Sequence, residues 1–196
     1  MQLEKMTETR VGGWIQTYTG VAFYPFDPRP SEIHIHDIAH ALSMQCRFTG
    51  HVKEFYSVAQ HSVLVAAQCP QEDRLWALLH DATEAYLADV ARPVKQHAVM
   101  LPYRNVENGL ERMICQRFGL PLEKPSSVHI ADKRMLATEK RDLMGAEPMD
   151  WNWPYDAFPY KIRAWTPKEA KETFLTVYAG LTENSPCKTT AIIGTV

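Results

Sequence analysis

The sequence predicts an all-α fold, a bundle of about five to six helices behind a short irregular or hairpin N-terminal segment. Three observations carry this. Apolar residues recur at three- and four-residue steps, helix start and stop residues punctuate those stretches, and no strand-helix alternation suggests a parallel sheet. The 196 residues are 45% hydrophobic and 22% charged, a composition suited to one globular unit able to bury a core. We read a single domain over 1–184 and a loose polar tail over 185–196.

Each element has its own signal. Trp14-Ile15-Gln16-Thr17-Tyr18 and Val21-Ala22-Phe23-Tyr24 flank Gly20 and precede Pro25, Pro28 and Pro30, as in a small hairpin or loop followed by a turn. From Asp37, residues Ile38, Ala39, Leu42 and Cys46 share a helical face until Phe48-Thr49-Gly50 interrupts. Ser57-Val58-Ala59-Gln60 reads as a reciprocal capping box and predicts a helix over 58–69. Pro70, with Gln71-Glu72-Asp73 suited to a positive helix end, opens the next, expected to reach about Leu87. Pro93 and Pro102 bracket a connection, and 103–118 is an amphipathic helix closed by Gly119. Ser126 or Ser127 should cap a helix reaching Met144, stopped by Gly145 and Pro148. An aromatic, proline-broken loop over 151–160 reads equally as a lid or subunit contact and as closure of the core. Thr166-Pro167-Lys168-Glu169 then starts a final helix to about Leu181.

Charge and cysteine usage narrow the function classes. A formal net charge of −2 gives no general attraction to duplex nucleic acid or to an anionic membrane. Cys46, Cys69, Cys115 and Cys187 lack C-x-x-C spacing, as expected of reduced thiols in a cytoplasmic protein. The polar N-terminus has no apolar signal core, and no stretch approaches the roughly 20 apolar residues of a membrane span.

The 8 histidines are the most informative residues. His61 lies one turn from Val58 and Val65, on a core-facing stripe. Leu78-Leu79-His80-Asp81 sets two metal-competent side chains in an apolar run, with Glu84 one turn beyond His80. Neighbouring helical residues diverge by about 100°, so His80 and Asp81 can grip one ion only if it lies between them. Asp132 shares a face with Val128, Met135 and Leu136, where an unpaired carboxylate would cost several kcal/mol. A lone helical histidine is usually a hydrogen-bonded core residue; His61, His80, Asp81 and Asp132 on three inward faces instead suggest a shared cation. His36 and His40 at i, i+4, with His34 nearby, could mimic a zinc pair but lack a third ligand, so they read as a solvated helix start. His51 and His97 read as surface residues, and His129 as at most an outer neighbour of Asp132.

The ordered set His61, His80-Asp81, Asp132 is similar to the signature of the HD-domain metal phosphohydrolases. The segments from Tyr56 to Ser62, His80 to Tyr86 and Asp89 to Lys95, with Ala131-Asp132, resemble the bacterial and phage 5′-deoxynucleotidase branch over roughly 38–143. The resemblance implies one divalent transition metal (Mn, Co, Ni, Fe or Zn) on those four residues, with Glu84 and Asp89 as acid-base groups. It further implies that Arg47 and Lys95 bind the substrate phosphate. Gln60, where many relatives carry an acidic residue, and the short connection from His61 to Asp81 depart from the pattern.

The implied activity is removal of the 5′-phosphate from deoxynucleoside monophosphates. The alternative is a triphosphohydrolase that cuts a deoxynucleoside triphosphate, dATP foremost, to the nucleoside and triphosphate. Lys95 and Arg92 favour extra phosphate slightly. A nucleotide-binding HD module without catalysis is the non-enzyme alternative, and a cyclic-nucleotide phosphodiesterase would use the same metal kit with more histidines. The partner is a deoxynucleotide, with duplex nucleic acid and membrane excluded and homo-oligomerisation left open.

Overall fold

The computed structural model describes residues 9–183; the tail expected over 185–196 lies outside them. Among the described residues the fold is all-α apart from one short hairpin, β1 (Ile15–Gln16) against β2 (Ala22–Phe23), antiparallel with Ile15 opposite Phe23. Eight α-helical segments follow among the described residues: α1 (Ile35–Met44), α2 (Val58–Ala67), α3 (Arg74–Leu79), α4 (Glu84–Leu87), α5 (Arg92–Gln96), α6 (Leu101–Phe118), α7 (Ser126–Leu143) and α8 (Pro167–Glu183). Five of these have ten or more residues, close to the number the periodicity predicts. The other three are short, four to six residues each, and lie around the candidate site residues. No described helix is long and apolar enough to cross a membrane.

Helix α2 sits at the centre, against α1, α3, α7 and α8. Its residues from Val58 to Val63, with Val65 and Ala66, are all buried, so apolar packing surrounds it. Three polar residues in such a helix need partners. Ser62 Oγ donates to Val58 O at 3.0 Å. Gln60 spans to the segment before α8, its Nε2 donating to Arg163 O at 2.7 Å and its Oε1 accepting from Trp165 N at 2.9 Å. His61 belongs to the site below.

Several local expectations change. Ser57 Oγ accepts from Gln60 N at 3.1 Å, but the capping box is only half formed, because the Gln60 amide is committed to 163–165. The reciprocal box occurs at α8, where Thr166 N donates to Glu169 Oε2 and Glu169 N to Thr166 Oγ1. Neither Ser126 nor Ser127 caps α7: Pro125 holds the cap position and Ser127 Oγ donates to Asp73. Pro93 and Pro102 lie inside the first turns of α5 and α6, where a missing N–H costs nothing. Gly119 closes α6 at φ 68°, as its position predicts.

The helix expected to continue to Leu87 is broken at the candidate site residues. Beyond Leu79 the chain switches to i→i+3 bonds, Ala82 N to Leu79 O and Glu84 N to Asp81 O, both at 3.0 Å. The cause is visible in one acceptor. Ala77 O, which a continuing helix would offer to the Asp81 N–H, accepts from His80 Nδ1 at 2.7 Å.

The aromatic loop is strapped along α7. Trp153 Nε1 donates to Lys133 O at 3.0 Å, Phe158 N to Thr138 Oγ1 at 2.9 Å, and Arg141 Nη1 to Phe158 O at 2.8 Å. Phe158 is buried in the apolar core, which favours closure of the core among the readings of this loop.

Candidate metal centre

The site assembles from α2, the turn after α3, and α7. His61 Nε2 lies 3.2 Å from His80 Nε2, 3.6 Å from Asp81 Oδ2 and 3.3 Å from Asp132 Oδ1. His80 Nε2 is 3.3 Å from Asp81 Oδ2 and 3.9 Å from Asp132 Oδ1. Ligand atoms about 2.1 Å from one ion sit roughly 3.0–3.5 Å apart, so most of these separations are those of donors facing a common centre. Among the described residues, His61, His80 and Asp81 are the His/Cys/Asp/Glu trio compact enough for an ion. Asp132 Oδ1, from α7, lies beside both imidazoles and is the candidate fourth donor.

The imidazoles are set for ligation by their other nitrogens. His61 Nδ1 faces Glu139 Oε1 at 2.6 Å, and His80 Nδ1 faces Ala77 O. Each partner is an acceptor, so Nδ1 donates outward and Nε2 faces the centre of the cluster, an arrangement typical of metal-binding histidines. The two imidazoles and two carboxylates form a nitrogen-oxygen donor set that suits Mn, Fe, Co, Ni or Zn. These residues fit a divalent ion.

Electrostatics separate the members. Burial lowers His80 to about 4, leaving it neutral. Burial and the Arg47 charge press down on His61, but Glu139 and Asp132 outweigh them and raise it to about 9. A proton and a cation therefore compete for His61 Nε2. Burial opposes ionisation of Asp81, Asp132 and Glu139, yet the surrounding histidines and Arg47 hold all three below the usual carboxylate range. Glu84 goes the other way. Burial, then the charges of Asp81 and Asp89, push its carboxyl well above the usual value, with Lys95 offsetting only part.

The remaining expected residues surround this cluster. Glu84 is buried at the start of α4, its Oε1 3.6 Å from Lys95 Nζ and its Oε2 without a hydrogen-bond partner. Asp89 follows the same short helix, and its N–H donates to Gln45 Oε1. Lys95 also binds Glu107 Oε1 at 2.7 Å, so its ammonium is shared between two carboxylates. Arg47 Nη1 lies 3.5 Å from Asp81 Oδ2 and Nη2 3.2 Å from Glu139 Oε2. A phosphate at Arg47 would have to share these contacts. Arg92 leaves the cluster and lies over the Trp153 ring.

Two further residues join the cluster without a role assigned to them from the sequence. Glu139, fully buried, supports His61 and pairs with Arg47. The signal for it was available, since Asp132 and Glu139 are seven residues apart, two turns along one face of α7. Tyr56, also buried, places its hydroxyl beside Glu139 without a well-formed bond. The weaker histidine candidates stay apart. His40 stacks on Tyr18 with centroids 3.8 Å apart, His34 lies 3.2 Å from Thr19 Oγ1, and His36, His51, His97 and His129 are exposed. A cavity of about 430 Å³ between α7 and the aromatic loop lacks this convergence of donors, which leaves the cluster as the candidate site.

A helical bundle in which two buried histidines face two half-buried aspartates places this protein among all-α proteins with a candidate metal centre. It belongs to the family of the uncharacterized protein YfdR of Escherichia coli (strain K12), to which it is 46% identical over 131 residues, 66% of this chain and 72% of the relative. It is also 36% identical over 129 residues to the uncharacterized protein RCAP_rcc00048 of Rhodobacter capsulatus, 61% of this chain and 65% of that one. No family model matches the chain. Neither relative's name carries an activity, so the chemistry rests on the site.

Proposed function

We propose that this protein is an HD-type, metal-dependent phosphohydrolase of 2′-deoxynucleotides, releasing orthophosphate from deoxynucleoside monophosphates. The observation that carries the reading is the convergence of His61 Nε2, His80 Nε2, Asp81 Oδ2 and Asp132 Oδ1, with both Nδ1 atoms already committed. A bound divalent ion would polarise a phosphoryl oxygen and acidify a water. The nucleotide substrate class comes from the resemblance to the 5′-deoxynucleotidase branch.

The chain's own residues divide the remaining work. Glu84 is the acid-base group: its raised pKa makes the ionised form a stronger base, and Oε2 is free to accept a proton. Lys95 holds Oε1 and limits the cost of ionising this buried carboxyl. Asp89 lies close enough to bias Glu84 through its charge. Arg47 braces Asp81 and Glu139 and would offer its remaining donor capacity to a phosphate.

The test is product analysis. Protein loaded separately with Mn, Co, Ni, Fe or Zn is incubated with a panel of dNMPs and dNTPs, and the phosphorus product is read by NMR. Orthophosphate from dNMPs supports the proposal. Intact triphosphate from dATP would replace it with the triphosphohydrolase, and nucleotide binding without turnover would make the protein a binding module.

A further inference from the structure

Two observations meet at the turn that carries the acid-base candidates. Ala88 closes α4 at φ 66° and ψ 156°, a conformation that side chains with a Cβ avoid and glycine adopts freely. The Gln45 amide bridges this turn. Its Nε2 donates to Glu84 O at 2.9 Å, and its Oε1 accepts from Asp89 N–H at 3.0 Å. One side chain thus grips the backbone on both sides of the strained residue, at the two positions that bear the proposed acid-base carboxyls.

Gln45 is well anchored for this. Its own carbonyl accepts from Val58 N at 3.1 Å, at the start of the helix that carries His61. The next residues pair with the chain before α2, Cys46 bridging Ser57 and Arg47 N donating to Tyr56 O at 2.9 Å. From the other side, Tyr103 Oη reaches the carbonyls of Leu87 and Ala88, each at 3.2 Å. A four-residue helix has too few internal bonds to fix its first residue, so the hold on Glu84 comes from outside α4.

We propose that Gln45 is a positioning residue, whose amide clamps the turn from Glu84 to Asp89 in its strained form and so keeps the Glu84 carboxyl buried with Oε2 free. The side-chain bonds of Gln45 all go to backbone groups, so it takes no part in proton transfer. The inference rests on the acid-base reading of Glu84, and its test separates the two.

Metal-loaded wild type, Gln45→Met, Ala88→Gly, the Gln45→Met/Ala88→Gly double variant and Glu84→Gln are compared. The readouts are metal content, amide hydrogen exchange, kcat and KM. Gln45→Met should keep its metal, exchange the Asp89 amide about tenfold faster or more with α2 amides unchanged, and lose about 10- to 100-fold in kcat with KM little changed. Adding Ala88→Gly should recover about tenfold in kcat, because glycine takes this conformation without the clamp; a packing defect would gain nothing from it. Gln45→Asn, which keeps the amide but cannot reach both anchors, should show a smaller loss with the same recovery, and serves if the methionine variant does not fold. Wild-type kcat in Gln45→Met while Glu84→Gln is inactive overturns the positioning role alone, as does a loss that tracks metal content and is not recovered by glycine. Full activity in Glu84→Gln, or no phosphoester turnover by the wild type, overturns the acid-base reading and the inference with it.

Discussion

Four carboxyls share this pocket, and their surroundings put them in two different states. Asp81, Asp132 and Glu139 face histidines and Arg47 and are held ionised, whereas Glu84 is pushed up by burial and by Asp81 and Asp89. Such divergence within one site separates the carboxylates proposed to brace or bind a metal from the one proposed to move protons. Glu84→Gln should therefore keep its metal and lose about 10²–10⁴-fold in kcat. Its melting temperature should change little, since a neutral amide of nearly the same shape replaces a carboxyl that burial already biases toward its neutral form. Metal loss in this variant would make Glu84 a ligand instead. The histidines differ as sharply. His61, raised to about 9, must give up a proton when a cation takes its Nε2, while His80, lowered to about 4, has none to give. At pH 7.5, metal uptake should release about one proton, read by calorimetry in buffers of different ionisation enthalpy. Because the folded pKa of His61 lies above its ordinary 6.5, the metal-free protein holds this stabilisation in full below 6.5 and loses it as pH rises through 9.

At the scale of the element, α7 carries both a proposed ligand and the brace of another. Asp132 and Glu139 face the cluster two turns apart, and Glu139 orients His61 through Nδ1. Glu139→Gln keeps a hydrogen-bond acceptor but loses the charge, and should weaken metal affinity about 10- to 100-fold; unchanged affinity in a metal titration would remove Glu139 from that role. Arg47 ties the short turn after α1 to α7 and to the turn after α3. Its side chain is 12% exposed, and Glu139 opposite it is fully buried, so it is no ordinary surface arginine. Truncating one member of a buried pair costs about 3–5 kcal/mol. Arg47→Ala should show a loss of that order in urea unfolding, and a near-neutral result would mean that water can solvate Glu139 once Arg47 is gone.

Across the whole molecule, the candidate ligands join α2, the turn after α3, and α7, elements that also meet through apolar packing and, between α2 and α7, through the His61–Glu139 bond. Occupation of the site should stabilise the fold by about 2.7 kcal/mol when free metal is a hundredfold above its Kd. Chelation should lower Tm accordingly, and an unchanged melting curve after verified metal removal would count against a cation that links these helices. Much of this arrangement was readable in advance. Apolar periodicity located the long helices, and His61, His80, Asp81 and Asp132 stood out because metal-competent groups interrupted faces that should have been apolar. What escaped was decided across distance. Gln60 meets its partners more than a hundred residues along the chain, so a half-used capping box looked like a full one. Arg47 and Glu139 are 92 residues apart, and no local pattern announces a salt bridge of that span. The break at His80 has no glycine or proline to mark it, because its cause is a side-chain nitrogen taking a backbone acceptor. The sequence by itself determined which faces must be buried and which residues on them needed a cation or a partner, since burial cost and helical period are local properties. Only the tertiary structure decided which partner each polar group found and where helices had to break, because those choices depend on side chains brought together from distant parts of the chain.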